Sequence, residues 1–240
     1  MPLAPTRVGV RYEVPRSRPD WTLPEEPVPE SVPHDQNLLL LYQLLAAWIA
    51  RTGRSALVAR NLAVRWDEAH PAVGVDPDLC VIAPRPPGAD ELTSLCTWKP
   101  GHPPPMLAIE VVSASHPYKD YVVAPEKYAA CGVGELWVFD PRLEGPKHAG
   151  GPHRLQVWRR VGDELSREYA GASPAWSRAV EGWLFATAEG ARLRLSDDEA
   201  GTRWWLTGEE QARAEAAQAK GATAAALARI AELEAKLRAR

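Results

Sequence analysis

Glu110 sits inside the apolar stretch Met106-Leu-Ala-Ile-Glu-Val-Val112, a run with the length and composition of a buried strand. A carboxylate in such a strand is costly to bury unless a cation or a hydrogen-bond donor meets it. Whatever fold this chain adopts must therefore carry polar partners to the middle of its own core. Two other segments offer them. Val75-Asp-Pro-Asp-Leu-Cys-Val-Ile82 places Asp78 at the opening of a second apolar strand, and Lys119-Asp-Tyr-Val-Val-Ala-Pro-Glu-Lys-Tyr128 carries Lys127 on the segment that follows Glu110.

With 240 residues, 45% of them hydrophobic and 25% charged, the chain can bury one large core, which fits one globular domain with an appendage. The longest apolar run, Leu38 to Ala50, is interrupted by Gln43 and is shorter than the ~20 residues of a bilayer span. No basic, apolar, small-residue leader precedes it, so residence in the cytoplasm and no membrane partner are expected. Cys80, Cys96 and Cys131 form no C-x-x-C pair and are expected as buried thiols. A net charge of −3 and a pI near 6.1 give no global basic field, which weighs against tight, nonspecific DNA binding but leaves room for a local basic groove.

Eight of the 23 prolines fall in residues 1–33, which predicts an extended arm in which Arg7 to Val14 could supply an edge strand. After His34 and Asp35, apolar residues recur at Leu38, Leu41, Tyr42, Leu45, Trp48 and Ile49, the spacing of an amphipathic helix ended by Thr52-Gly53. Short strands are predicted over Ala56 to Trp66, Leu79 to Ala83, Leu107 to Ser113, Glu135 to Asp140 and Leu155 to Val161, with a long surface loop from Arg85 to Pro105. Pro125 suits a first helical turn, so Glu126 to Cys131 is predicted as a helix stopped by Gly132. The aromatic residues that continue to Trp205 suggest that this half closes the same core. The expected division is a proline-rich arm (1–33), a mixed-sheet domain (34–206) and a helical tail (207–240), in which Ile230, Leu233 and Leu237 keep the a/d spacing of a thin coiled-coil seam.

Hydrolysing a phosphodiester requires a cation for the nonbridging oxygens, a group that activates water and help for the leaving oxygen. Hard oxygen ligands select Mg²⁺ or Mn²⁺ for this work. Asp78 and Glu110 could meet at adjacent strand ends to hold such an ion, the carbonyl of Val111 could add a ligand, and a lysine nearby, taken as Lys127, could steady the transition-state charge.

Pro77-Asp78, then Ile109-Glu110-Val111-Val112-Ser113, Asp120, Lys127-Tyr128 and Gly132-Val-Gly-Glu-Leu-Trp-Val-Phe-Asp-Pro141 together resemble the Uma2 family (DUF820) of the PD-(D/E)XK restriction-endonuclease-like superfamily. The resemblance is strongest over residues 30 to 141. It implies an α/β fold, a restriction-endonuclease-like mixed β-sheet flanked by helices, with a divalent-metal site and DNA-cleaving chemistry. Two positions depart from the pattern: the superfamily's lysine position, two after the glutamate, is Val112, and the family's common alternative, four after Asp120, is Ala124.

Several residues carry a plainer reading beside the functional one. Asp120 could cap the helix entry and Ser113 could bond at a strand end. Glu30 and His34, whose counterparts border the site in the resembling family, could serve only as helix-start caps. The expectation is a Mg²⁺- or Mn²⁺-dependent endonuclease acting on nucleic acid, DNA in the first place. The competing expectation is a catalytically silent nuclease-like module that assembles, as a homodimer for instance, through its C-terminal helix.

Overall fold

The computed structural model describes residues 8–11, 17–23 and 31–238. Glu30 therefore lies outside the described residues, as does most of the proline-rich arm. In chain order the regular elements are β1 (Val8–Arg11), α1 (Val32–Thr52), β2 (Leu57–Arg60), β3 (Ala63–Arg65), β4 (Leu79–Ile82), β5 (Ser94–Cys96), β6 (Leu107–Val111), α2 (Ala124–Cys131), β7 (Glu135–Phe139), β8 (Leu155–Val161), β9 (Glu164–Gly171), β10 (Ala175–Ser177), β11 (Gly182–Thr187), β12 (Arg192–Ser196) and α3 (Gly208–Arg238).

Seven strands form one mixed sheet in the order β1-β9-β8-β7-β6-β4-β2, in which only β6 and β7 run parallel. A parallel pair needs a crossover, and α2 supplies it. Alternation along β6 sets the layers. Leu107, Ile109 and Val111 join the cluster that buries Leu38, Leu41, Leu45 and Trp48 of α1, whereas Ala108 and Val112 join the opposite cluster with Tyr128 and Ala129 of α2. Glu110, between Ala108 and Val112, thus faces α2. Burying each large apolar side chain of α1 is worth roughly 1.5–3 kcal/mol, so its docking rests on this stripe more than on helix propensity.

α1 starts earlier than the sequence suggests, with Pro33 in its first turn, so His34 and Asp35 are helical residues and not caps. Its end is as expected: Gly53 takes the left-handed conformation at φ 65°. The stretch from Ala56 to Trp66 is two strands, because Asn61 turns the backbone at φ 48°. The following strand, β3, leaves the large sheet and pairs in parallel with β5, which lies within the region expected to be an irregular loop.

A second, antiparallel sheet, β10-β11-β12, packs Ala175, Leu184, Leu193 and Leu195 into the α1-side cluster. Buried Glu135 at the start of β7 ties it down: its carboxylate accepts from Ser177 Oγ at 2.5 Å, from the backbone N–H of Arg178 at 3.0 Å and from Trp137 Nε1 at 2.8 Å. Asn37 of α1 adds a bond from Nδ2 to the Ala191 carbonyl at 3.0 Å.

The chain divides into two compact units, one ending at Trp205 and one beginning at Leu206. α3 makes up nearly all of the second and buries none of its residues. No helix among the described residues is long and apolar enough to cross a membrane. The three cysteines are buried free thiols, and burial pushes Cys80 and Cys131 up to about 12, which keeps both protonated and unreactive.

Candidate active site

At the end of β4 and β6 the ladder closes with a side chain in place of a backbone rung. The last paired residues are Leu79 and Ile109, and the next backbone N–H of β6 available on that edge, from Val111, is taken by Asp78 Oδ2 at 2.7 Å. His34 reaches the same place from the first turn of α1. Its Nε2 lies 3.1 Å from Asp78 Oδ2 and 3.0 Å from the carbonyl oxygen of Val111. A nitrogen between two acceptors carries the hydrogen, so His34 is a donor here and fixes both oxygens.

Glu110 is fully buried. The Tyr128 hydroxyl donates to its Oε1 at 2.5 Å, while Oε2 has no hydrogen-bond partner and lies 3.8 Å from the Lys119 ammonium. The same ammonium is 3.7 Å from Asp120 Oδ1. Burial pushes the Glu110 carboxyl well above its ordinary range. Repulsion from Asp78 and Asp120 pushes the same way, and Lys119 and the Tyr128 hydrogen bond oppose it. Burial likewise lifts Asp120 to about 7, against the pull of Lys119 and of the Ser113 backbone N–H. Lys119 is held protonated above the usual lysine range, chiefly by Glu110 and then by Asp120, Asp78 and Asp76.

Lys119 and Asp120 can both turn toward the strands because Lys119–Val123 is one widened, π-type turn directly before α2. Such turns carry an extra residue and shift the direction of everything on their N-terminal side relative to the helix that follows.

The sequence expectations fare unequally against this geometry. Asp78, Glu110, Val111, His34 and Asp120 gather at one point. Ser113 reaches it through its backbone N–H to Asp120, while its hydroxyl lies 3.3 Å from that of Ser115. Lys127 is not among them. Among the described residues it makes no ion pair, and burial, then repulsion from Lys119, lowers its affinity for a proton. The reason is helical phase: Tyr128 points at Glu110, and the preceding residue is rotated about 100° away around the helix. Lys119, which stands immediately before Asp120, meets Glu110 and Asp120 instead.

The donor set fits a hard divalent cation. The Oε2 of Glu110, which accepts no hydrogen bond, the Asp78 carboxylate and the Val111 carbonyl are all oxygen, and the carboxylates outnumber the single lysine among them. Among the described residues no group of three or more His, Cys, Asp and Glu side chains is placed so that it could hold a metal ion by itself. Mg²⁺ is commonly held by one or two carboxylates, with water and substrate phosphate completing the shell, so a pair of carboxylates with one carbonyl suits it.

The family model for Uma2, described as a putative restriction endonuclease, matches residues 18–187, and the chain belongs to that family. The match includes every residue of this site and ends at Thr187, the last residue of β11. Among solved structures the chain is similar to a putative nuclease belonging to DUF820 from Anabaena variabilis ATCC 29413, at 13% identity over 64% of this chain and 76% of that one, with a TM-score of 0.39. No curated protein matches the chain.

Proposed function

We propose that this protein is a divalent-metal-dependent endonuclease that hydrolyses DNA phosphodiester bonds. The observation that carries the reading is the buried Glu110 Oε2, left without a hydrogen bond beside Asp78 and Asp120 and met only by Lys119. A bare buried carboxylate of this kind is costly unless a further cation meets it. Glu110, Asp78 and the Val111 carbonyl would hold Mg²⁺ or Mn²⁺, which when bound supplies a Lewis acid for the phosphoryl oxygens and lowers the pKa of a bound water.

The chain's own groups divide the remaining work. His34 orients the Asp78 carboxylate and the Val111 carbonyl through one N–H. Tyr128 holds Glu110 through Oε1 and leaves Oε2 on the side of Lys119. Lys119 stays protonated and acts as a fixed positive charge toward the phosphate, not as a base. Asp120, poised near neutrality, can take up or release a proton beside it.

Self-association through α3 completes the proposal. Leu227, Ile230, Leu233 and Leu237 are all exposed, at 45–71%. With Ile230 at position a and Leu233 at d, Arg229 falls at g and Glu234 at e, opposite signs at the two positions that face each other across a parallel pair.

The test is nicking of supercoiled plasmid by the full chain with Mn²⁺, together with calorimetric titration of Mn²⁺ into wild type and Glu110→Gln. Metal-dependent nicking and metal binding, both lost in the variant, are expected. Equal Mn²⁺ binding by the two proteins would overturn the metal assignment.

A further inference from the structure

The outward side of the three-stranded sheet has an unusual make-up. Along β10, β11 and β12 the inward residues are buried apart from the part-buried Ala186, while the alternate positions that face out are Trp176, Trp183, Phe185, Thr187, Arg192 and Arg194, with Ser196 buried opposite Trp183. Register brings Trp176 opposite Trp183, Phe185 opposite Arg194 and Thr187 opposite Arg192. Trp204, bridged to Ser196 on β12, adds a further ring against Phe185. Trp176 and Trp204 are 39% and 38% exposed.

None of these outward positions is Leu, Ile or Val. The face offers rings and guanidinium groups. The rings pair at an angle, with Trp176 and Trp183 centroids 5.3 Å apart at 60° and Phe185 and Trp204 5.1 Å apart at 68°, so they do not cover each other's flat sides in full. Among the described residues neither Arg192 nor the exposed Arg178, which follows β10, pairs with a carboxylate. Flat aromatic faces beside unneutralised cations match the two parts of an unpaired nucleotide, a base to stack and a phosphate to neutralise.

The face also leads to the candidate active site. Arg192 donates to the Pro33 carbonyl and to the Gln36 side chain, the residues on either side of His34 and Asp35 in the first turns of α1. A strand lying over Arg192 is therefore directed toward the turn whose His34 holds Asp78.

We propose that the outer face of β10-β11-β12 binds unpaired nucleotides and guides a single-stranded segment toward the Asp78–Glu110 site. This rests on the nuclease reading for its direction and not for its binding chemistry, which belongs to residues outside the catalytic group.

The experiment measures fluorescence anisotropy of labelled oligothymidylate, oligouridylate and a short duplex with the full chain in EDTA, where cleavage plays no part. Tighter binding of the single strands than of the duplex is expected, and the two single strands separate DNA from RNA as the source. Trp176→Ala, at an exposed position, and Arg192→Gln are each expected to weaken single-strand binding by about tenfold without changing the melting temperature. Unchanged affinity in both variants, or no binding by wild type, overturns the proposal. So does a changed sedimentation mass in Trp176→Ala, which would assign the face to a second copy of the chain. Failure of the nuclease reading shows differently, as single-strand binding that persists with no plasmid nicking.

Discussion

The Tyr128 hydroxyl donates to Glu110 Oε1 at 2.5 Å, and that single bond decides which carboxylate oxygen is left for other chemistry. It also favours the ionised form of a carboxyl that burial drives the other way. Tyr128→Phe is therefore expected to move the acid limb of the nicking rate to higher pH and to weaken Mn²⁺ binding most at the low end of the range. Loss of a hydrogen bond to a charged group costs roughly 1.5–3 kcal/mol, so the chain should still fold. A pH–rate profile identical to wild type would show that Glu110 does not depend on this donor.

Lys119 and Lys127 separate cleanly as variants. Lys119→Ala is expected to lower nicking by about 10² to 10³-fold, the usual effect of removing one group that stabilises transition-state charge. Lys127→Ala is expected to stay within about threefold of wild type, because among the described residues its ammonium makes no ion pair, whereas Lys119 meets Glu110 and Asp120. Rates measured on the same plasmid substrate decide it, and the opposite ranking would return the catalytic role to Lys127.

Asp120 gives a pH-dependent stability with a definite sign. Unfolded, its carboxyl titrates near ~3.9, while the fold raises it to about 7. Between those values the folded chain holds a proton that the unfolded chain has lost. The stability this group contributes is thus whole below the unfolded value and is lost as pH rises through about 7. In EDTA, Asp120→Asn should melt a few degrees above wild type on the alkaline side, about 2–4 °C for each kcal/mol, and lose that advantage near pH ~4. A difference independent of pH would show that Asp120 does not titrate in this way.

Removal of the residues after Gly208 tests α3. Since the helix buries none of its own residues, the melting temperature of the remaining chain should change by less than about 2 °C. Sedimentation should show a fall in mass beyond that of the deleted segment, if the exposed Ile230, Leu233 and Leu237 mediate assembly. A large loss of thermal stability would instead make those residues part of the domain's core.

Much of the site was readable because its parts obey local rules. Glu110 stood out as a charge in an apolar run, Asp78 followed a proline at a strand opening, and Gly53 and Gly132 marked helix ends by their freedom to take positive φ. Three features were not readable, each for the same kind of reason. The break at Asn61, the pairing of β3 with β5, and the turn that aims Lys119 all depend on partners distant in sequence or on a helix that departs from its usual period. The second sheet was hidden for another reason: Glu135, which anchors it, reads as an ordinary strand-edge charge until Ser177 and Arg178 are seen to bond it.

The widened turn at Lys119–Val123 means that the site's cation is mounted separately from the helix that follows it. Deleting one residue within the turn is expected to swing Lys119 and Asp120 away from Glu110 together. Asp78 and Glu110 thus stand on neighbouring strand ends and their counter-charge on the turn. An engineer wishing to silence, shift or re-time this centre would alter the length of the segment from Lys119 to Val123 and leave its charged residues untouched.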